Sequence, residues 1–181
     1  KVVLKNISFD VISGKISSII APAGSGKSVL LKIISGLEVQ TSGNIENVDD
    51  GKIIYIPTAP SSFPWLNVRE NVKFGLDKWD EKEIIELIRL VGLEGYESFF
   101  PNNKSLGFRF RISLARSLAH NPLVVLLDEP FNGMDAQTKK EIYSLLREVN
   151  KINKTTFLIA TTNVTEALFL SDKIYIMKNN G

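Results

Sequence analysis

Residues 21–28 read Ala-Pro-Ala-Gly-Ser-Gly-Lys-Ser, and their surroundings make this stretch decisive for the fold. The apolar run 16–20 precedes it, and the helix-like run 29–34 follows it. A strand, a glycine-rich turn and a helix in this order direct backbone N–H groups and a helix N-terminus at one point, which favours an anion. Lys27 and Ser28 complete a phosphate-binding loop, with the lysine on the β- and γ-phosphates and the serine hydroxyl on Mg²⁺.

The loop predicts a set of nucleotide-binding residues. They are Ala23, Gly24, Ser25, Gly26, Lys27, Ser28 and Val29. The two glycines allow the tight turn that brings the backbone to the phosphates. Ala21 stands where the motif G-x-x-x-x-G-K-[ST] begins with glycine, which reduces backbone freedom but leaves the rest of the motif in place. A plain glycine turn between a strand and a helix is the alternative, but it does not explain the Lys-Ser pair.

A second segment adds acidic chemistry. Residues 123–127 are wholly apolar, which is typical of a strand buried on both faces of a parallel sheet, and they are followed by Asp128 and Glu129. Open α/β sheets bind ligands at the carboxyl ends of their strands. We therefore expect Asp128 to hold Mg²⁺, directly or through water, and Glu129 to act as the general base on the attacking water. A solvated pair of carboxylates at a strand end is the alternative.

Over nearly its whole length the chain resembles the ATP-binding subunits of ABC transporters, most closely the importer branch for nitrate, sulfonate, taurine and similar small solutes. The segments that carry the resemblance are 3–11, 21–28, 63–72, 90–94, 111–118, 126–131 and 135–138. It implies an α/β fold of the P-loop NTPase (RecA-like) type, with a mixed, mainly parallel sheet and a small antiparallel β part. It also implies one domain over residues 1–181, with a helical subdomain inserted at about 61–120.

The same resemblance implies a transport-coupled ATPase that uses ATP and Mg²⁺. Its partners would be membrane permease subunits and a second ATP-binding subunit, in a homo- or heterodimer formed on ATP binding, and it would lie in the cytoplasm at the inner face of the membrane. Asp135 belongs to the loop that contacts the other subunit. Phe63–Trp65 occupy the neighbourhood that receives the permease coupling helix, and core packing of Trp65 is an equal alternative.

Three positions depart from the family pattern. Thr58 replaces the glutamine that reaches Mg²⁺ and the attacking water. In place of Leu-Ser-Gly-Gly-Gln, residues 104–108 read Lys-Ser-Leu-Gly-Phe, which keeps Ser105 and Gly107 but introduces the bulky Leu106. Thr162 replaces the switch histidine at the γ-phosphate. These departures predict that nucleotide binding is kept and hydrolysis is weakened.

Three hypotheses follow. The first is an importer ATPase with weak hydrolysis, favoured by the importer-like segments, and the second is a catalytically degenerate regulatory subunit, favoured by the three departures. The third is a soluble superfamily member that acts on nucleic acid or ribosomes. Such proteins usually carry two of these domains or coiled-coil inserts, and the sequence shows neither. Turnover with and without a membrane partner separates the first two.

Composition sets wider limits. The chain has 181 residues, no cysteine and a net charge of +2, which is far from the basic patch of a dedicated nucleic-acid binder. No apolar run approaches the ~20 residues that cross a bilayer. Against the family, both ends are predicted to be truncated, and the aromatic residue that stacks on adenine would lie upstream of Val3.

Hydrophobic periodicity and turn signals predict the secondary structure. The predicted strands are 8–11, 15–20, 53–55, 124–127, 156–159 and 173–176. The predicted helices are 27–34, 81–91, 111–119, 136–150 and 164–170.

Overall fold

The computed structural model describes residues 3–46, 53–59 and 61–178. Within these ranges, strands and helices alternate along the chain as an α/β protein. In chain order they are β1 (Ile16–Ile20), α1 (Lys27–Ile34), β2 (Ile53–Ile56), α2 (Val68–Lys73), α3 (Glu81–Leu90), α4 (Leu106–Ala119), β3 (Val124–Asp128), α5 (Ala136–Asn153), β4 (Thr156–Thr161), α6 (Val164–Leu170) and β5 (Lys173–Ile176).

The strands form one sheet in the order β2-β3-β4-β1-β5, and every pairing is parallel. The register aligns the last residues of neighbouring strands: Ile20 pairs with Thr161, and Asp128 pairs with Ala160. The carboxyl ends of β1, β2, β3 and β4 therefore meet at one edge of the sheet, which we call the carboxyl edge. The segments that follow these strands are brought together there.

Alternating side chains of the central strands build a core on each face of the sheet. On β4, Phe157 and Ile159 point into the larger core, whereas Leu158 and Ala160 point into the smaller one beneath α1. Strand β3 divides in the same way, with Leu126 on the α1 side. Because both faces are covered, the runs 124–127 of β3 and 157–160 of β4 are continuously apolar, as expected for a parallel sheet.

Helices α2, α3 and α4 lie between β2 and β3 in the sequence and pack on one another. Val68 and Val72 of α2 and Ile84 and Ile88 of α3 are fully buried in the larger core. The spacing of four residues in each pair places both side chains on one face of the helix. No helix of the described residues is both long and apolar enough to cross a membrane.

Two of the predictions are corrected. No strand forms over residues 8–11, because this segment is held to the sheet by side chains rather than by a backbone ladder. Lys173 pairs with Asp10 at 2.9 Å, and the rings of Phe9 and Tyr175 lie 5.1 Å apart. The described residues accordingly contain no antiparallel strand pair.

The second correction concerns the helices of the 61–120 region. Helix α4 begins at Leu106 rather than at residue 111, because the Ser105 side chain accepts a hydrogen bond from Phe108 N at 3.2 Å and caps the helix. Helix α2 was not predicted, although a signal was present. Asn67 and Glu70 form a capping box in which each side chain accepts from the other's backbone N–H.

Candidate functional site

The loop between β1 and α1 has the backbone conformation that its glycines predict. Gly24 and Gly26 have φ angles of 75° and 96°, in the left-handed region that residues with a side chain rarely adopt. Gly26 is the N-cap residue of α1, and no side chain caps the helix there. A Cβ atom on Gly26 would lie 2.8 Å from Cδ2 of Leu4, so a larger residue would also require the Leu4 side chain to shift.

Lys27 is buried at the base of this loop. Its ammonium donates hydrogen bonds to the carbonyl oxygens of Ala21 and Pro22, at 2.8 and 3.0 Å. It also lies 3.4 Å from Oε1 of Glu129. Only 5% of Lys27 is exposed, so the cation is held at a defined position rather than extended into solvent.

Glu129 connects the loop with the turn that follows β4. Its φ of 45° lies in the left-handed region, and its backbone N–H donates to Ala160 O at 2.8 Å. Oε2 of its carboxylate accepts from the N–H of Thr162 at 3.2 Å and from its hydroxyl at 3.4 Å. The strained backbone conformation of a non-glycine residue is typical of functional sites. Lys27, Glu129 and Thr162 thus meet at the carboxyl edge.

Asp128, the last residue of β3, is 2% exposed. One carboxylate oxygen, Oδ2, accepts a hydrogen bond from the Tyr55 hydroxyl at 2.8 Å. The other, Oδ1, is buried and has no hydrogen-bond partner among the described residues. Burying a carboxylate oxygen without a donor is costly, so this atom fits a ligand-binding role.

The oxygen atoms of Asp128 and Ser28 suit a hard cation that needs few protein ligands. The described residues contain no cluster of three or more His, Cys, Asp or Glu side chains that could enclose a metal. Mg²⁺ is usually held by one or two carboxylates together with substrate phosphates and water, so the free Oδ1 of Asp128 fits it. Ser28, in the first turn of α1, is exposed and carries a hydroxyl.

The segment 105–108 and the Asp135 loop contact each other rather than this cluster. A Cβ atom on Gly107 would lie 2.5 Å from Cγ2 of Thr138, and one on Gly133 would lie 3.0 Å from Cδ1 of Leu106. Asp135 caps α5 by accepting from the Thr138 N–H at 2.9 Å and from its hydroxyl at 2.6 Å. These hydrogen bonds lower the pKa of Asp135 below its usual range.

The described structure therefore places four of the predicted residues in a separate group, which consists of Ser105, Leu106, the buried Gly107 and Asp135. No described hydrogen bond or ion pair joins them to Lys27 or Glu129. Thr58 is exposed just beyond β2, at the carboxyl edge, and no described hydrogen bond joins it to the cluster.

Sequence reasoning missed two residues beside the site. Tyr55 lies in the apolar strand β2, where a single phenol among isoleucines was the available signal. Glu166 lies in α6 and is 5% exposed. Its carboxylate pairs with Lys139 at 2.9 Å and accepts from the Thr161 hydroxyl at 2.8 Å, so it anchors the turn that presents Thr162. Its signal was an acidic residue in the first turn of an otherwise apolar helix.

Comparison with known sequences gives consistent matches. The family described as ABC transporter matches residues 4–132. The aliphatic sulfonates import ATP-binding protein SsuB 1 of Pseudomonas savastanoi pv. phaseolicola is 38% identical over 176 residues, covering 97% of this chain and 74% of that protein. The SsuB protein of Bacillus subtilis is 35% identical over 187 residues, covering 97% of this chain and 72% of that protein.

Solved structures agree. The dimeric post-hydrolysis state of the ATP-binding cassette MJ0796, bound to ADP and Pi, matches with a TM-score of 0.82 and 28% identity over 99% of this chain and 89% of that one. The structure of cbiO1 from Clostridium perfringens, part of the ABC transporter complex cbiONQ, matches with a TM-score of 0.87 and 27% identity, covering 98% of this chain and 78% of that one.

The fold and the loop geometry define the class of protein as a P-loop ATPase with an ATP-binding cassette. The matches are equally specific about the family. The chain belongs to the ABC transporter family.

Proposed function

We propose that this chain is the ATP-binding subunit of an ABC-type importer and that it couples ATP binding and weak hydrolysis to the transport of a small solute. The observation that carries this proposal is the convergence of Lys27, Glu129 and Thr162 at the carboxyl edge, beside the buried carboxylate of Asp128. A cation, a carboxylate base and a hydrogen-bond donor in one place are the groups that phosphoryl transfer to water requires.

In this proposal, the loop after β1 binds the triphosphate. The residues assigned to nucleotide binding are Ala23, Gly24, Ser25, Gly26, Lys27, Ser28 and Val29. Ser28 and Asp128 hold Mg²⁺, which neutralises charge on the phosphates when bound. Support comes from the left-handed glycines and from Oδ1 of Asp128, which has no hydrogen-bond partner in the described part of the chain.

Glu129 is the proposed catalytic base. Its two carboxylate oxygens contact Lys27 and Thr162. The γ-phosphate must therefore replace Oε1 as the partner of the Lys27 ammonium before Glu129 can accept a proton from water. The exchange replaces one charge-assisted contact of the ammonium with another, and it leaves Oε1 of Glu129 free. The Thr162 N–H can go on orienting the carboxylate through Oε2. The base is thereby released when substrate binds.

The proposed solute is nitrate, a sulfonate, taurine or a similar small solute. The names of the curated relatives, aliphatic sulfonates import proteins, support a sulfonate. The proposed partners are permease subunits and a second ATP-binding subunit, the latter suggested by the dimeric cassette among the structural matches. With a permease, the chain would lie at the inner face of the membrane. Asp135 would face the second subunit.

An exposed aromatic surface supports the permease partner. Trp65 is 69% exposed, so the alternative that it packs in the core is wrong. Its ring lies 5.4 Å from that of Phe63, which in turn lies 4.4 Å from Phe74. The Arg116 guanidinium lies 4.7 Å from the Phe63 ring and donates to Ser61 O at 2.7 Å, which fixes the surface in place. An ordered apolar patch of this kind is typical of a protein interface.

A regulatory subunit with little ATPase activity is the second candidate. Two observations favour it. Leu106 directs a bulky side chain at Gly133, in the segment where the family brings backbone to phosphate on the opposite subunit. Thr162 contacts Glu129 through its N–H and hydroxyl but has no imidazole to offer the γ-phosphate.

The binding part of the proposal is tested by Lys27→Ala. The variant removes a charge-assisted contact of about 1.5–3 kcal/mol, which corresponds to a loss of roughly ten- to a hundred-fold in ATP affinity. Calorimetry of Mg-ATP binding measures it. Lys32→Ala, on the same helix but in an exposed ion pair with Glu38, is the matched control and should bind as the parent does. Equal affinity in the Lys27 and Lys32 variants would contradict the phosphate assignment.

The coupling part is tested by ATP turnover with and without the permease of the same source in liposomes. An importer subunit is expected to hydrolyse ATP faster with the permease and to support sulfonate uptake. Trp65→Ala should reduce the stimulation and leave ATP affinity unchanged. A rate that the permease does not alter would favour the regulatory candidate.

A further inference from the structure

A side-chain hydrogen bond from the hydroxyl of Tyr55 to the carboxylate of Asp128 joins β2 to the acidic end of β3. The donor–acceptor distance is 2.8 Å, and the acceptor is Oδ2. The two residues lie on adjacent parallel strands, where Tyr55 pairs with Leu126 and Ile56 with Leu127. Because Tyr55 belongs to the sheet rather than to a loop, the strand register fixes the position of its hydroxyl relative to Asp128.

The contact distinguishes the two oxygens of Asp128. Oδ2 is satisfied by the phenol, and Oδ1 is buried without a partner among the described residues. A carboxylate with both oxygens free could turn about its last torsion, which is broad and two-fold. The hydrogen bond removes that freedom and selects the oxygen that remains available.

We propose that Tyr55 is a positioning residue that locks the Asp128 carboxylate so that Oδ1 alone is presented to the Mg²⁺ of Mg-ATP. The inference rests on the proposed function, since it assumes that Asp128 holds the metal. Tyr55 itself does not touch metal or nucleotide. It acts as an outer-shell partner that orients a ligating carboxylate, and the loss of such a partner typically weakens metal affinity or activity about 10- to 100-fold.

The test compares ATP affinity in excess Mg²⁺ with ATP affinity in EDTA, by calorimetry, for the whole chain. The ratio of the two affinities isolates the contribution of the metal. Tyr55→Phe keeps the ring and removes only the donor, so we expect its EDTA affinity to equal that of the parent and its Mg²⁺ ratio to fall by about 10-fold or more. Tyr143→Phe is the matched control, because that partly buried phenol lies beside a different carboxylate, Glu166, and should leave the ratio unchanged.

Asp128→Asn separates failure of the inference from failure of the proposed function. Suppose that Asp128→Asn binds ATP equally well in Mg²⁺ and in EDTA, and that Tyr55→Phe keeps the affinity ratio of the parent. The positioning role is then wrong, and the metal role of Asp128 stands. If Asp128→Asn keeps the full ratio, the metal assignment fails and the inference falls with it. A Tyr55→Phe variant that loses affinity equally in Mg²⁺ and EDTA would show a general structural role and overturn the proposal.

Discussion

The ammonium of Lys27 lies 3.4 Å from the carboxylate of Glu129, so the cation that would bind phosphate is already paired with the residue that would act as base. Glu129 is held on its other side by the Thr162 N–H. Before nucleotide arrives, the base is therefore occupied on both oxygens. Under the proposed function, substrate binding and release of the base would be two aspects of one exchange at Lys27.

Glu129→Gln tests this relationship. We expect the purified protein to hydrolyse ATP below the 1–10³ s⁻¹ that is typical of enzymes, at roughly less than 1 s⁻¹. The glutamine amide cannot accept the proton, so the remaining rate should fall a further 10²-fold or so. ATP affinity should not fall, because the variant removes a competitor for Lys27. Phosphate release and calorimetry measure the two effects, and turnover of the parent at ordinary enzyme rates would show that the three departures are well tolerated.

Restoring the family residues at the three positions that depart from the pattern should raise the rate of ATP hydrolysis by more than the single changes suggest. Thr162→His supplies a contact to the γ-phosphate, Leu106→Gly reopens the backbone approach of the opposite subunit, and Thr58→Gln positions the attacking water. The three changes complete one shell around the phosphoryl group, where positioning and electrostatics provide most of the catalysis. Groups that act as a unit are non-additive, so the triple variant should exceed the product of the single effects.

The measurement is steady-state phosphate release at saturating Mg-ATP and at protein concentrations that permit dimers. The structure adds a control, since Leu106 packs on Gly133 and its removal opens space there. Leu106→Ala removes most of the side chain without adding the backbone freedom of glycine. A triple variant no faster than the parent would mean that another factor limits the rate, such as a missing partner.

Gly107 is expected to be intolerant of any side chain, for a reason of packing within one subunit. A Cβ atom there would lie 2.5 Å from Cγ2 of Thr138, and Thr138 cannot rotate freely because its hydroxyl donates to Asp135 at 2.6 Å. Gly107→Ala should lower the free energy of unfolding by about 1–3 kcal/mol.

Thr138→Ser removes the predicted clash between Cβ of residue 107 and Cγ2 of Thr138, because it deletes the methyl group and keeps the hydroxyl. In the Gly107→Ala background it should recover most of the loss, whereas alone it should cost little. Urea unfolding of the parent, both single variants and the double variant provides the cycle. Additive effects of the two changes would contradict the contact.

Glu166 is expected to stabilise the turn after β4 through a mostly buried ion pair. Glu166→Gln leaves Lys139 with a weaker acceptor and changes the partner of Thr161, so we expect a loss of about 1–3 kcal/mol in the free energy of unfolding. Lys139→Met should also destabilise, since it leaves the buried carboxylate unpaired. The double variant should be less destabilised than the sum of the two, and thermal or urea unfolding measures this coupling. An additive double variant would show that the pair contributes nothing as a unit.

Much of the fold could be predicted because the signals are local. The apolar run before Asp128 and the glycine turn before Lys27 each specify an element and its end, and every element of the described residues except α2 was anticipated. The start of α4 was misplaced, although Ser105 is of a residue type that commonly caps helices. The predicted strand 8–11 failed because pairing depends on a neighbour that local alternation does not specify.

The sequence by itself determined the glycine turn before α1, the acidic strand end and the family, since each rests on residue types at fixed spacing along the chain. The tertiary structure alone decided that Tyr55 bonds Asp128, that Glu129 joins Lys27 to Thr162, and that Gly107 meets Thr138. These contacts join residues from 31 to 102 positions apart, read from the printed numbering. The physical reason is that strand order and register bring the first two sets of side chains to one edge, whereas the packing of α4 on α5 brings Gly107 to Thr138. A linear pattern contains neither the register nor the helix packing.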